Sequence, residues 1–138
     1  MKRILVLVLA VSAFSVPSVI QGLGLGELEL NSALNQSFDA RIVLLKAKPD
    51  ELDSLTIGLA DMDAFRKAGI DRPFILSKLR FAVISNETGP DYIRITSPEP
   101  IREPFLDFLI ELNWSRGRLL REYTVLLDPP VYEATVEV

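Results

Sequence analysis

Glu103-Pro104-Phe105-Leu106-Asp107-Phe108-Leu109-Ile110-Glu111-Leu112-Asn113-Trp114 is the stretch that decides the fold. Read as a strand, it sets Leu106, Phe108, Ile110, Leu112 and Trp114 on one face. Asp107, Glu111 and Asn113 fall on the other, because successive side chains of a strand point to opposite sides. Read as a helix, it aligns Phe105, Phe108, Leu109 and Leu112. The strand is preferred because every charged residue then leaves the apolar face. A turn, Ser115-Arg116-Gly117, follows at once, and a second β-type run covers Arg118 to Leu127. Asp128-Pro129-Pro130 closes the region, since neither proline can donate to a ladder.

The same period runs outward from there. Leu28 and Leu30 alternate with Glu27, Glu29 and Asn31. Phe38, Ala40, Ile42 and Leu44 form another alternating set, as do Leu55, Ile57 and Leu59, and Leu79, Phe81 and Val83. Ser85 to Pro90 is a turn cluster. Tyr92 to Thr96 is extended and β-branched again, so the two runs around that turn read as a hairpin. One helix is expected, capped by Asp61 and stopped by Gly69, with Phe65 and Ala68 facing inward. Arg66 and Lys67 sit in its last turn, where the helix dipole favours cations. Lys48-Pro49-Asp50-Glu51-Leu52 offers one further helical turn, with Pro49 at its first position. About seven short strands at this spacing predict an all-β fold, a two-sheet antiparallel sandwich of immunoglobulin-like kind with one short helix. The domain is expected to span residues 23–130, with 131–138 a short tail that alternates weakly.

Composition narrows the chemistry. Among 138 residues there is no cysteine and no histidine. Disulfides, thiolate or imidazole metal ligands, histidine bases and cysteine nucleophiles are therefore excluded. At this length about 60–70% of the chain's surface can be buried, so a core forms without staples. The formal net charge is −4, a poor match to phosphate backbones, so nucleic acid is not an expected partner. No cofactor and no metal are expected.

Met1-Lys2-Arg3 is basic, and Ile4 to Val16 is apolar apart from Ser12 and Ser15, with Pro17 and Ser18 ending the run. That is the pattern of a secretory signal peptide over residues 1–22. The run is too short to cross a membrane, which takes about 20 apolar residues. No second apolar span follows. Without Lys2 and Arg3 the balance is 13 basic against 19 acidic residues. Gly22-Leu23-Gly24-Leu25-Gly26 lacks the strand-before, helix-after context of a phosphate cradle and reads as a flexible entry segment.

Candidate sites are few. Glu27 with Glu29, and Asp61 with Asp63, lack a third ligand or a nucleophile partner, and read as a solvated strand face and a helix start. Ser77-Lys78 sits where a strand should begin, so the two side chains would diverge. Arg102, Arg116, Arg118 and Arg121 gather in the final third. They form either a patch for an anionic partner or surface ion pairs with Glu103, Asp107, Glu111 and Glu122. Trp114 is either a sugar platform or part of the core edge. Asn35-Gln36-Ser37 and Asn86-Glu87-Thr88 match the glycosylation sequon, a motif common by chance.

Three segments carry a family resemblance: Leu23 to Gln36 (Leu-Gly-Leu-Gly-Glu-Leu-Glu-Leu-Asn-Ser-Ala-Leu-Asn-Gln), Ala68-Gly69-Ile70-Asp71-Arg72-Pro73-Phe74, and Arg102 to Trp114 continuing through Gly117 to Pro130. Together they resemble the N-terminal periplasmic domain of the FimV family of bacterial polar hub proteins, over Leu23 to Pro130. The resemblance implies a Gram-negative envelope protein that supports type IV pilus assembly and twitching motility and organises the cell pole. Its partners would be envelope proteins of the pilus or secretin machinery. It implies no catalytic residues. Family members usually continue into a peptidoglycan-binding LysM module, a membrane span and a long acidic cytoplasmic part. None of these is encoded between Pro130 and Val138, as expected for a stand-alone relative or a fragment. The expected function is thus a non-catalytic periplasmic protein-interaction module. The alternative is a cell-wall glycan (peptidoglycan) binding module using Trp114 and the neighbourhood of Arg102 and Arg118.

Overall fold

The computed structural model describes residues 22–129. The expected leader, save Gly22, and the tail 131–138 lie outside the described residues. In chain order the elements are β1 (Gly24–Leu30), β2 (Ser37–Leu45), α1 (Pro49–Ser54), β3 (Thr56–Leu59), α2 (Met62–Ala68), a 3₁₀ helix (Phe74–Lys78), β4 (Arg80–Ile84), β5 (Tyr92–Pro100), β6 (Phe105–Trp114) and β7 (Gly117–Leu126). All strand pairings are antiparallel. They make a four-stranded sheet ordered β1-β2-β5-β4 and a three-stranded sheet ordered β3-β6-β7. This is the two-sheet sandwich that the alternation predicts.

Each inner face is apolar at every second position. Phe38, Ala40, Ile42 and Leu44 of β2, Ile93 and Ile95 of β5, Leu106, Phe108, Ile110 and Leu112 of β6, and Tyr123 and Val125 of β7 are all buried in one core. Full burial of a large apolar side chain stabilises by about 1.5–3 kcal/mol, so packing alone can hold a chain that has no cysteine.

The expected β4–β5 hairpin forms, with Ile84 opposite Tyr92. The helix α2 also starts and stops as expected. The Asp61 carboxylate accepts from the Ala64 N–H at 2.7 Å, and Gly69 takes the left-handed conformation at φ 73°. Its inward residues are Ala64 and Phe65; Ala68, at its last position, is exposed. At α1, Pro49 opens the turn and Glu51 reaches back to the Lys48 N–H at 3.4 Å.

The glycine-rich segment is not a loose entry. Gly24 to Gly26 belong to β1, and Leu23 and Leu25 are buried. A bulge between Leu25 and Leu28 breaks the register with β2. A Cβ at Gly26 would meet the Val43 carbonyl oxygen at 3.2 Å, tighter than ordinary contact, so this close approach favours glycine. Ser77-Lys78 lies not on a strand but in the 3₁₀ helix. There the Ser77 hydroxyl donates to the Phe74 carbonyl, and Lys78 pairs with Glu99, both at 2.6 Å. Leu109 sits on the polar side of β6 yet is buried, in a groove that it shares with Ala64 and Ala68 of α2.

One long edge of the sandwich is closed by β7 reaching across to β1. The Tyr123 hydroxyl donates to the Gly26 carbonyl at 2.8 Å, and the Arg121 guanidinium donates to the Leu25 carbonyl. Both acceptors lie in the β1 bulge, where the ladder with β2 is interrupted.

Candidate functional site

The four arginines do not converge on one surface. Arg102 precedes β6, whereas Arg116 lies in the turn at its far end and Arg118 just after it, on β7. Ten residues of strand separate them, about 30 Å at 3.3–3.4 Å per residue. Arg118 Nε pairs with Glu111 at 2.9 Å, and Arg116 lies 3.8 Å from Asp50. Arg121 points to the inner side. Its guanidinium lies 4.8 Å from the Tyr123 ring centroid and 3.5 Å from Glu27, besides its bond to Leu25. It is a structural clasp between β7 and β1. Trp114 is half-buried against the core, and its ring passes over Gly117, where a Cβ would meet it at 3.2 Å. The neighbourhood of Arg102 and Arg118 imagined as a sugar site is therefore split between the two ends of β6.

Of the four acidic partners expected for these arginines, only Glu111 is engaged. It also accepts from Asn113 Nδ2 at 2.8 Å, and the Asn113 bond, followed by Arg118, holds its carboxyl below the usual range despite partial burial. Glu103, Asp107 and Glu122 have no ion pair among the described residues. The carboxylate pairs noted in sequence are occupied separately: Glu29 with Arg41 at 2.9 Å, Glu27 with Arg121, Asp61 as the α2 cap and Asp63 with Lys67 at 3.1 Å. Among the described residues no group of three acidic side chains is arranged to hold a metal ion.

A cleft of about 470 Å³ stands out instead, between the segment Gly69 to Leu76 and the start of β6. Proline rigidity shapes both walls: Pro73 leads into the 3₁₀ helix and Pro104 into β6. Ile70, Ile75, Leu76, Phe105 and Leu106 make the cleft apolar. Phe105 is 54% exposed, and Phe74, next to Pro73, is 80% exposed. The polar rim holds Asp71, Glu103 and Asp107, and no cation lines it. The nearby Arg72 guanidinium lies over the Phe65 ring, 5.7 Å from its centroid. On β7, Glu122 is adjacent to Asp107. A hydrogen bond shared with that carboxylate, then some burial and like-charge repulsion, raise the Glu122 carboxyl above its ordinary range.

The sequence carried a signal for this cleft that the strand reading passed over. Phe105 falls on the polar phase of β6, in step with Asp107 and Glu111. Both exposed phenylalanines directly follow a proline. The two walls come from two of the three segments on which the family resemblance rests, Ala68 to Phe74 and the stretch from Arg102.

Comparison with known proteins agrees with that resemblance. A family model for the FimV N-terminal domain, an Ig-like domain, matches residues 23–130. The chain is similar to the motility hub protein FimV of Pseudomonas aeruginosa strain PAO1, with 47% identity over 134 residues. The same protein of strain UCBPP-PA14 is also 47% identical. The matched segment is 96% of this chain but only 15% and 14% of those two relatives. No solved structure matches the chain.

Proposed function

Because the chain belongs to the FimV family through its N-terminal, Ig-like domain, we propose that it is a non-catalytic protein-interaction module of the periplasm. In this reading it supports type IV pilus assembly, twitching motility and the organisation of the cell pole. The observation that carries the reading is the apolar cleft with Phe74 and Phe105 exposed beside it. Exposed apolar groups gathered in one place and rimmed by polar residues mark docking surfaces. The cleft's polar side chains are carboxylates, with no nucleophile set against a base. The basic, apolar and then small residues of 1–22 supply the route of export.

The test is affinity capture of the tagged chain from the host envelope after cross-linking in living cells. Components of the pilus machinery should be recovered with the native chain. They should be lost with the double variant Phe74→Ser and Phe105→Ser, whose melting curve should match the native one because both rings are exposed. Equal recovery with both chains overturns the assignment to this cleft. Co-sedimentation with purified sacculi, without protein partners, would put the glycan reading in its place.

A further inference from the structure

The strand β6 carries an open edge. The two-residue turn Ser115-Arg116 makes Trp114 and Gly117 the first pair of the β6–β7 ladder, and in such hairpins that pair is hydrogen-bonded. Even-numbered residues of β6 therefore bond β7, and odd-numbered ones turn their N–H and C=O groups away from it. On that second side β3 covers Ile110 to Asn113, and the Ala60 N–H donates to the Leu109 carbonyl at 2.9 Å. The cover ends there, because the chain turns off into α2. Phe105 and Asp107 point their backbone groups the same way as Leu109, and no described residue bonds them. The cleft lies along this edge, so unpaired backbone donors and acceptors face an apolar trough. An unpaired edge of this kind is a template for another strand.

Charge selects the occupant. Asp71, Glu103 and Asp107 rim the cleft without a cation, and Glu122 stands behind Asp107. The last described stretch of the chain runs close by, since the Leu127 N–H donates to the Pro104 carbonyl at 2.8 Å. But Val131 to Val138 contains Glu133 and Glu137 and no basic residue, so it would add two negative charges to an acidic rim.

We infer that the open edge of β6 receives an extended segment of a partner protein in which apolar residues alternate with lysine or arginine, added as a strand beside Phe105–Phe108. The inference rests on the interaction-module reading and names the kind of partner. The added strand's backbone bonds Phe105 and Asp107. Its inward side chains meet Leu76 and Leu106, and its outward cations meet Glu103 and Asp107.

The experiment uses the full chain, isotopically labelled, and three synthetic probes. These are a seven-residue peptide alternating valine with lysine, the same peptide with glutamate for lysine, and the lysine peptide with its backbone nitrogens methylated. The lysine peptide should shift the amide resonances of Phe105 and Asp107 and slow their exchange. It should bind at least tenfold more tightly than the other two and weaken as salt rises. Glu103→Lys with Asp107→Lys should weaken it tenfold or more while the melting curve stays native. Equal binding of the lysine and glutamate peptides, or Phe105 and Asp107 amides that do not respond, would overturn the inference. So would amides already protected in the free chain and released when residues 131–138 are deleted, because the tail would then fill the edge. If the charge reversals fail to act while capture of pilus components still depends on Phe74 and Phe105, only this inference falls. If capture fails as well, the broader reading falls with it.

Discussion

Replacing Tyr123 by phenylalanine removes one hydroxyl from a buried ring and tests how the sandwich is closed. That hydroxyl donates to the Gly26 carbonyl at 2.8 Å, across from β7 to the β1 bulge. Its loss leaves a carbonyl in the bulge without its donor and should cost about 1–2 kcal/mol at neutral pH. A second effect follows at high pH. Burial pushes the Tyr123 phenol up to about 12 from 10.0. The folded protein therefore holds the neutral phenol, and the unfolded chain loses its proton first. The phenol's contribution is complete below pH 10 and is lost as pH rises from 10 to about 12. Two pH units set a ceiling of about 2.7 kcal/mol, and solvent screening of the partly wet phenol lowers it to about 1–2 kcal/mol. Urea unfolding of the native chain and Tyr123→Phe should be compared at about pH 7, 9, 11 and 12. The comparison cancels lysine and the other tyrosines. The native advantage should hold through pH 9 and shrink to zero or invert by pH 12. Equal stability at neutral pH, or a gap that stays constant to pH 12, would refute the reasoning.

Other predictions concern the core, the helix and export. Ile110→Ala should cost about 2–5 kcal/mol, because Ile110 is wholly buried between the sheets. Asp107→Ala should change stability by no more than about 0.5 kcal/mol, since it lies on the outer face and faces Glu122. Asp61→Ala, which removes the cap bond to the Ala64 N–H, should cost about 1 kcal/mol in the same denaturant melts. Intact mass of the envelope form should lack residues 1–22; a form that retains Met1 would count against export by that leader.

The sandwich was legible because its strands are half-buried. Phe38 to Leu44 and Leu106 to Leu112 spell out the inner face at every second residue, and the turn residues between runs mark where strands reverse. α2 was legible from its ends, where Asp61 and Gly69 each do a job that few other residues do as well. The entry into β1 was not, because glycine signals flexibility unless a close approach such as that of Gly26 to Val43 is seen. Leu109 broke the alternation because a helix distant in pattern, though not in space, covers part of the outer face. A shared arginine patch was one of two readings because sequence places Arg102 and Arg118 near each other, while ten residues of extended strand hold them apart. The cleft needs tertiary knowledge of another kind: its walls, Gly69 to Leu76 and Glu103 to Asp107, come from separate parts of the sequence, and the open edge exists only because β3 ends after four residues.

Surface motility of Pseudomonas aeruginosa carrying an altered motility hub protein tests the central claim most directly. Three strains are compared: one with the native hub protein, one in which its segment matching residues 23–130 is deleted, and one in which that segment is replaced by residues 23–130 of this chain. At 47% identity over the matched length, the inner faces and the cleft walls should substitute for one another. The replacement strain should spread like the native one by twitching, and the deletion strain should not spread. Normal spreading of the deletion strain, with the shortened protein present at native levels, would contradict the claim that this domain serves motility.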